Sequence, residues 1–379
     1  MTDLLRQEIA TAATTMVVKV GTRVLTQENG QLDPGRIEQL AQQMQQVIAS
    51  GRKVVLVSSG AVGAGMGRLG LKRRPEDLPH LQAVAAIGQS LLVEAYERSL
   101  RTHGRHAAQV LLTAEDLEHR TRYLNARNTL LTLLEIGAVP VINENDTVAV
   151  DELKITYGDN DRLAAIVTNL IQAPLLVLLS DVDGLYDGDP AEPGSRLVPL
   201  VERLDRSVLR LVRDRAGGLG TGGMASKLEA ARLVTAAGEN VIIAGGRNPD
   251  VLPRIIAGEA VGTLILAKGQ TVAARKRWIG LTVEPRGRLV LDAGAREAIE
   301  RDGRSLLAIG VVEVEGDFGK GDVIALRGPD GVEFARGLTN YTSDDIRRIK
   351  GLKTGRIAAA LGHCPYDEVI HRDNMVITS

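Results

Sequence analysis

Aromatic side chains are nearly missing from this chain: one Trp, two Phe and six Tyr in 379 residues. A surface built to stack nucleic-acid bases would have few members. A single cysteine, Cys364, excludes an internal disulfide and suits a reducing cytoplasm. Lys and Arg number 46 against 47 Asp and Glu, a formal charge of −1, so no overall field draws the chain to nucleic acid or an anionic membrane. The longest apolar run, around residues 175–179, is far too short to span a bilayer. Asp3, Arg6 and Glu8 leave no apolar stretch for a signal peptide. These absences predict a cytoplasmic protein with no membrane partner. Histidine is also scarce, six in all, and nearly absent from the polar loops described below. That disfavours zinc and removes the usual general base.

Glycine, by contrast, is abundant at 41 residues, and its densest cluster is informative. Residues 217–227 read G-G-L-G-T-G-G-M-A-S-K. Glycine admits positive φ and lets backbone N–H groups approach a ligand. The Ala-, Leu-, Lys- and Glu-rich residues 224–238 follow as a helix. A donor-rich loop feeding a helix N-terminus is an anion site, and Lys227 adds a mobile positive charge. The spacing is neither a Walker loop nor a dinucleotide fingerprint. A mobile surface loop is the plain alternative; Thr221, Ser226 and Lys227 favour a phosphate cradle.

The first two thirds alternate strands and helices. Short apolar runs at 16–20, 53–57, 107–112, 138–142, 175–179, 241–244 and 263–266 predict strands. Between them, Asp33-Pro34 cap a helix with an apolar face at Ile37, Leu40, Met44, Val47 and Ile48. Further helices are predicted at 81–100, 122–135 and 161–172. Continuous apolar strands separated by helices imply an α/β fold with a parallel sheet covered on both faces. After about residue 269 the strands shorten and Gly316, Gly319, Gly321, Gly328 and Gly331 punctuate them. The predicted domains are residues 12–269, a linker at 270–280, and a small, mostly β domain at 281–370.

In open α/β sheets ligands bind beyond the carboxyl ends of the strands, and the polar clusters fall there. They are Lys19 at the end of the first strand, Ser58-Ser59-Gly60 after the second, and Asn143-Glu144-Asn145-Asp146 after the fourth. Gly158-Asp159-Asn160-Asp161 opens the next helix, and Ser180-Asp181-Val182-Asp183 follows the fifth strand. Asn, Asp, Ser and Gly are ordinary turn and cap residues, but five clusters at corresponding strand ends predict a site. Lys19 lies in V-V-K-V, where an ammonium costs free energy without a partner. It either snorkels from an edge strand or meets bound phosphate. The acidic residues Asp146, Asp159, Asp161, Asp181 and Asp183 either hold Mg²⁺ directly or orient lysines and a substrate amine while the metal rides on phosphates.

Lack of a general base points to an acceptor that is already ionised. A carboxylate qualifies, since a Glu side chain free in water titrates with a pKa of about 4.3. Transfer of a phosphoryl group to it then requires two anions to be brought together and the charge to be spread. Lys19 and Lys227 answer the repulsion.

These elements together resemble the glutamate 5-kinase family of the amino acid kinase superfamily, in the long form with a C-terminal PUA domain. The matching pieces are V-V-K-V-G-T near the start, V-S-S-G-A-V-G-A-G at 57–65, I-N-E-N-D at 142–146, G-D-N-D at 158–161, L-S-D-V-D-G-L-Y at 179–186 and G-L-G-T-G-G-M-A-S-K at 218–227. The resemblance implies a three-layer sandwich around a mainly parallel sheet, plus a small PUA-like domain. It implies ATP-dependent phosphorylation of the γ-carboxylate of L-glutamate, the first step of proline biosynthesis, with Mg²⁺. Lys19 and Lys227 then stabilise the transferring phosphoryl, and Asp161 holds both lysines. Ser59, Asp146 and Asn160 bind glutamate, with Asn143 and Asp159 as neighbours. Lys19, Ser180, Asp181, Thr221, Gly222, Gly223, Met224, Ala225, Ser226 and Lys227 form the ATP-binding elements. Ser180 stands where many members carry threonine. The resemblance further implies proline as feedback inhibitor, a homo-oligomer, and hand-off to glutamyl phosphate reductase.

Two other readings stay open. One is another carboxylate or carbamate kinase of the superfamily. The other is an RNA-associated protein acting through the PUA-like domain, the less favoured because that domain sets Arg286, Arg288, Arg347, Arg348 and Lys350 against Glu313, Glu315, Asp344 and Asp345.

Overall fold

The computed structural model describes residues 3–27, 30–148, 159–205, 208, 222–267, 279–280, 283–363 and 366–378. The chain forms two compact units, Met1–Thr271 and Val272–Ser379. Residues 217–221 of the glycine loop with Thr221, residues 270–278 of the expected linker, Gly158 and Cys364 lie outside the described residues.

In the first unit the apolar runs become β1 (Thr15–Val20), β2 (Lys53–Ser58), β3 (Ala107–Leu112), β4 (Val139–Glu144) and β5 (Leu175–Ser180), followed by β6 (Leu200–Val201), β7 (Asn240–Gly245) and β8 (Thr263–Ile265). They form one sheet in the order β3-β4-β2-β1-β5-β7-β8-β6. β1 pairs in parallel with β2 on one side and β5 on the other. β5–β7, β2–β4, β3–β4 and β6–β8 are parallel as well. The exception is β7–β8, which is antiparallel; strand direction is not encoded in the composition of a three-residue strand. The sheet is therefore mainly rather than wholly parallel. Every residue of β4 and β5 is buried, as strands covered on both faces require.

Ahead of β1 runs α1 (Leu4–Ala12), and α2 (Thr22–Leu25) follows it. On one face lie α3 (Pro34–Ala49) and α5 (Leu78–Arg101), which pack on each other. Asp33 caps α3 by accepting from the N–H groups of Gly35 and Arg36, and Asp77 caps α5. α4 (Ala61–Leu69) joins the Ser58–Gly60 turn to this layer. The segment after β3 holds two helices rather than the single one expected at 122–135. α6 (Ala114–Glu118) opens with a reciprocal capping box between Thr113 and Asp116, and α7 (Arg120–Glu135) follows. α7 and α8 (Asp159–Ile171) cover the opposite face with α9 (Gly222–Ala236). The result is a three-layer sandwich. Met16, Val18 and Val20 of β1 enter the core with Leu40, Met44, Leu92 and Tyr96. By strand alternation Val17 and Lys19 face the other layer, where α8 packs on β1.

The second unit holds a five-stranded sheet in the order β10-β9-β11-β12-β13, built from β9 (Gly287–Leu291), β10 (Val311–Glu315), β11 (Val323–Arg327), β12 (Glu333–Leu338) and β13 (Met375–Ile377). Its own core includes Leu289, Leu291, Phe334, Ile346 and Ile370. On its surface Arg288 pairs with Glu315 at 3.5 Å, and Arg347 with Asp344 and Asp317 at 2.8 and 2.9 Å. Part of its basic charge is thus already answered. No described helix of the chain is long and apolar enough to cross a membrane.

Candidate active site

The topology places the site before any side chain is considered. After β1 the chain builds outward through β2, β3 and β4, then returns through α8 to lay β5 on the other flank of β1. β1 is the point where the order reverses, and sheets of this kind bind ligands at such a point, beyond the carboxyl ends of the strands. Lys19 sits one residue from the end of β1. It is bonded into the sheet on both sides, so the edge-strand reading fails. The residue is 6% exposed.

Its partner is Asp161, 1% exposed, on the first turn of α8. Lys19 Nζ lies 2.7 Å from Asp161 Oδ1, and Lys227 Nζ lies 3.1 Å from Oδ2. Ser226 Oγ donates to the same Oδ2 at 2.7 Å, and Lys227 also donates to the Gly223 carbonyl at 3.1 Å. One carboxylate thus holds two ammonium groups from opposite ends of the first unit. Burial pushes the Asp161 carboxyl up, but Lys19, Lys227 and Ser226 pull it further down, below the usual carboxylate range. Burial, only partly offset by Asp161, lowers the Lys19 ammonium from its ordinary value. The cluster carries two positive charges against one negative. Burying such a triad is a poor route to stability; an excess of positive charge beyond the strand ends is chemically suited to receive an anion.

Asn160, next to Asp161, points elsewhere. Successive residues of a helix are about 100° apart around its axis, so the first turn of α8 serves two half-sites. Asn160 Nδ2 donates to Ser59 Oγ at 2.9 Å and to Asn143 Oδ1 at 3.0 Å. Ser59 follows β2, whose last residue Ser58 shares a hydrogen bond of 3.1 Å with the fully buried Tyr96 hydroxyl. Gly60 then turns the chain at φ 114° into α4, a left-handed conformation that favours glycine. Asn143, 3% exposed, comes from β4. Asp146 lies just beyond; burial pushes its carboxyl up to about 6 against the pull of Arg74.

On the opposite flank, Ser180 ends β5 and donates to Asp181 Oδ1 at 3.1 Å, while Arg23 Nη1 binds Asp181 Oδ2 at 3.0 Å. Burial pushes the Asp181 carboxyl up, but the bonds from Arg23 and Ser180 leave it below its ordinary value. Gly222, Gly223, Met224, Ala225 and Ser226 open α9. Asp159 is the first residue of α8. The structure therefore brings Lys19, Asp161, Ser226 and Lys227 into one cluster, and Ser59, Asn143 and Asn160 into a second beside it.

Both oxygens of Asp161 are engaged by lysines and Ser226, so it is not offered to a metal. Among the described residues no group of three or more His, Cys, Asp or Glu is arranged to hold one.

Gln89 carries no distinguishing mark in the sequence. This residue of α5 is 7% exposed, and its Oε1 accepts from Asn143 Nδ2 at 2.8 Å. Its neighbour Gly88 brings it there. A glycine inside a helix costs about 1 kcal/mol relative to alanine, and Gly88 sits there because a Cβ would stand 1.7 Å from the Ala61 carbonyl oxygen. The bare position lets α5 lie directly on the first turn of α4, beneath Ser59.

Residues 14–245 match the amino acid kinase family and residues 287–361 the PUA domain. The glutamate 5-kinase of Rhodopirellula baltica is 50% identical over 98% of this chain and 96% of its own. That of Geobacter sp. strain M21 is 48% identical over 98% of this chain and 100% of its own. Among solved structures, a carbamate kinase from Giardia lamblia bound to AMP-PNP aligns at a TM-score of 0.49 and 18% identity, over 68% of this chain and 99% of that one. With the kinase match covering more than half of the sequence and such relatives spanning nearly all of it, the chain belongs to the glutamate 5-kinase family of the amino acid kinases.

Proposed function

We infer that the protein transfers the γ-phosphoryl of ATP to the γ-carboxylate of L-glutamate, giving L-glutamyl 5-phosphate and ADP at the start of proline biosynthesis. The observation that carries the mechanism is the pair of ammonium groups on Asp161, one residue from the amide that reaches Ser59 and Asn143.

The acceptor is ionised at neutral pH, so no base has to deprotonate it. What remains is alignment and charge. Ser59, Asn143, Asn160 and Asp146 hold glutamate with its γ-carboxylate toward the lysines, and Asp146 in its ionised form faces the α-ammonium. Ser180, Asp181 and residues 221–227 hold the nucleotide. Lys19 and Lys227 stand where the acceptor oxygen, the transferring group and the departing β-phosphate meet, and they stabilise the charge spread over that group. Asp161 keeps both cations in place with no reorganisation at the moment of transfer. Mg²⁺ enters as the companion of ATP, neutralising phosphate charge; activity should vanish in excess chelator. Proline as feedback ligand of the glutamate pocket, a homo-oligomer built through the first unit, cytoplasmic location and delivery of the acyl phosphate to a reductase complete the proposal.

The test is ATP-dependent hydroxamate formation from glutamate with hydroxylamine, run beside aspartate and N-acetylglutamate. Glutamate should be strongly preferred. Equal or better turnover of either competitor overturns the substrate assignment.

A further inference from the structure

The acceptor half-site contains a relay of three amides with a direction. Gln89 Oε1 accepts from Asn143 Nδ2, and Asn143 Oδ1 accepts from Asn160 Nδ2. That same Nδ2 gives its second hydrogen to Ser59 Oγ. A primary amide has two N–H hydrogens and one carbonyl, so the donors of Asn160 are exhausted. Its Oδ1 is buried and has no hydrogen-bond partner among the described residues, and neither has Gln89 Nε2 at the other end. Buried polar atoms are nearly always bonded in folded proteins. An unpaired buried acceptor beside the proposed glutamate ligands calls for a donor from the ligand, and the ammonium is the donor an amino acid brings.

We propose that Gln89 is a positioning residue for the acceptor substrate: by accepting from Asn143 it holds the relay in the sense that leaves the Asn160 carbonyl open toward the substrate's α-ammonium. The inference deepens the kinase reading and rests on it. Gln89 acts through Asn143 and Asn160. If all three amides turned over, the contacts would survive with donors and acceptors exchanged, and Asn160 would show an N–H that repels an ammonium. The relay therefore discriminates by polarity as well as shape, and its outer end is the place to disturb it. Removing that end frees Asn143 to rotate without touching any group that meets ATP.

The full-length protein and its Gln89→Met and Gln89→Glu variants test this with glutamate and with glutarate, which lacks the amino group. Wild-type turnover of glutamate tests the kinase reading by itself. In Gln89→Met the KM for glutamate should rise about tenfold or more, the scale of one lost bond to a charged group. The KM for ATP should hold, and the preference for glutamate over glutarate should narrow. Gln89→Glu, which still accepts from Asn143, should recover part of both. An unchanged glutamate KM and preference in Gln89→Met overturns the proposal. So does a parallel rise in both KM values, or a Glu variant as impaired as the Met variant.

Discussion

Asp161 gathers two buried ammonium groups on one carboxylate. Converting it to Asn keeps the shape but leaves two buried lysines facing each other across a neutral amide. Breaking a buried pair in this way costs roughly 3–5 kcal/mol, so Asp161→Asn should melt earlier as well as lose turnover; calorimetry beside the hydroxamate assay checks both. Asp146 makes a prediction in pH. Its folded value of about 6 lies above the ordinary 3.8. Between those values the folded state binds the proton more than the unfolded state does, so this group's contribution to stability falls as pH rises through that window. Binding of an ammonium needs the opposite, ionised form. The kcat/KM for glutamate at saturating Mg-ATP should therefore drop as pH falls through about 6, and Asp146→Asn should lose that acid limb along with most of its affinity. An unchanged limb in the variant assigns it to another group.

At the level of elements, α8 and the α4–α5 pair decide where these residues go. α8 presents Asn160 and Asp161 to different half-sites because it starts beyond the strand ends and runs back across the sheet. α5 reaches the site because Gly88 carries no side chain. Gly88→Ala would place a Cβ 1.7 Å from the Ala61 oxygen and 2.4 Å from the Gly65 nitrogen. Overpacking of this kind costs about 1–3 kcal/mol, and here it also lifts Gln89 away from Asn143. The expected result is a lower Tm with a raised glutamate KM and an unaltered ATP KM. Legibility follows the same division. Lys19 stood out because an ammonium in V-V-K-V demands a partner, and Asn160 and Asp161 because they open a helix after a polar loop. Gln89 was invisible because a Gln on a long helix is ordinary until the packing of another helix buries it. α1, α6 and β13 also escaped notice. They are short, and what places them is tertiary packing rather than a long periodic pattern.

For the whole molecule, every described site residue falls in Met1–Thr271, which has a core of its own. A chain ending at Thr271 should therefore keep its turnover and its preference for glutamate; a folded truncation without activity would tie the PUA unit to the reaction. In the sequence, glycine-punctuated short strands replace the α/β alternation near residue 269, though nothing there says which way β8 runs. The claim on which the rest depends is that Lys19 and Lys227 act as one charge-stabilising unit. Its most direct test is kcat for Lys19→Met, Lys227→Met and the double variant, measured by hydroxamate formation with thermal melting as the control for folding. Each single variant should lose about 10²–10³-fold, the scale of removing one donor to developing charge, and the double variant should lose less than the product of the two. A folded single variant turning over at close to the wild-type rate would contradict the account.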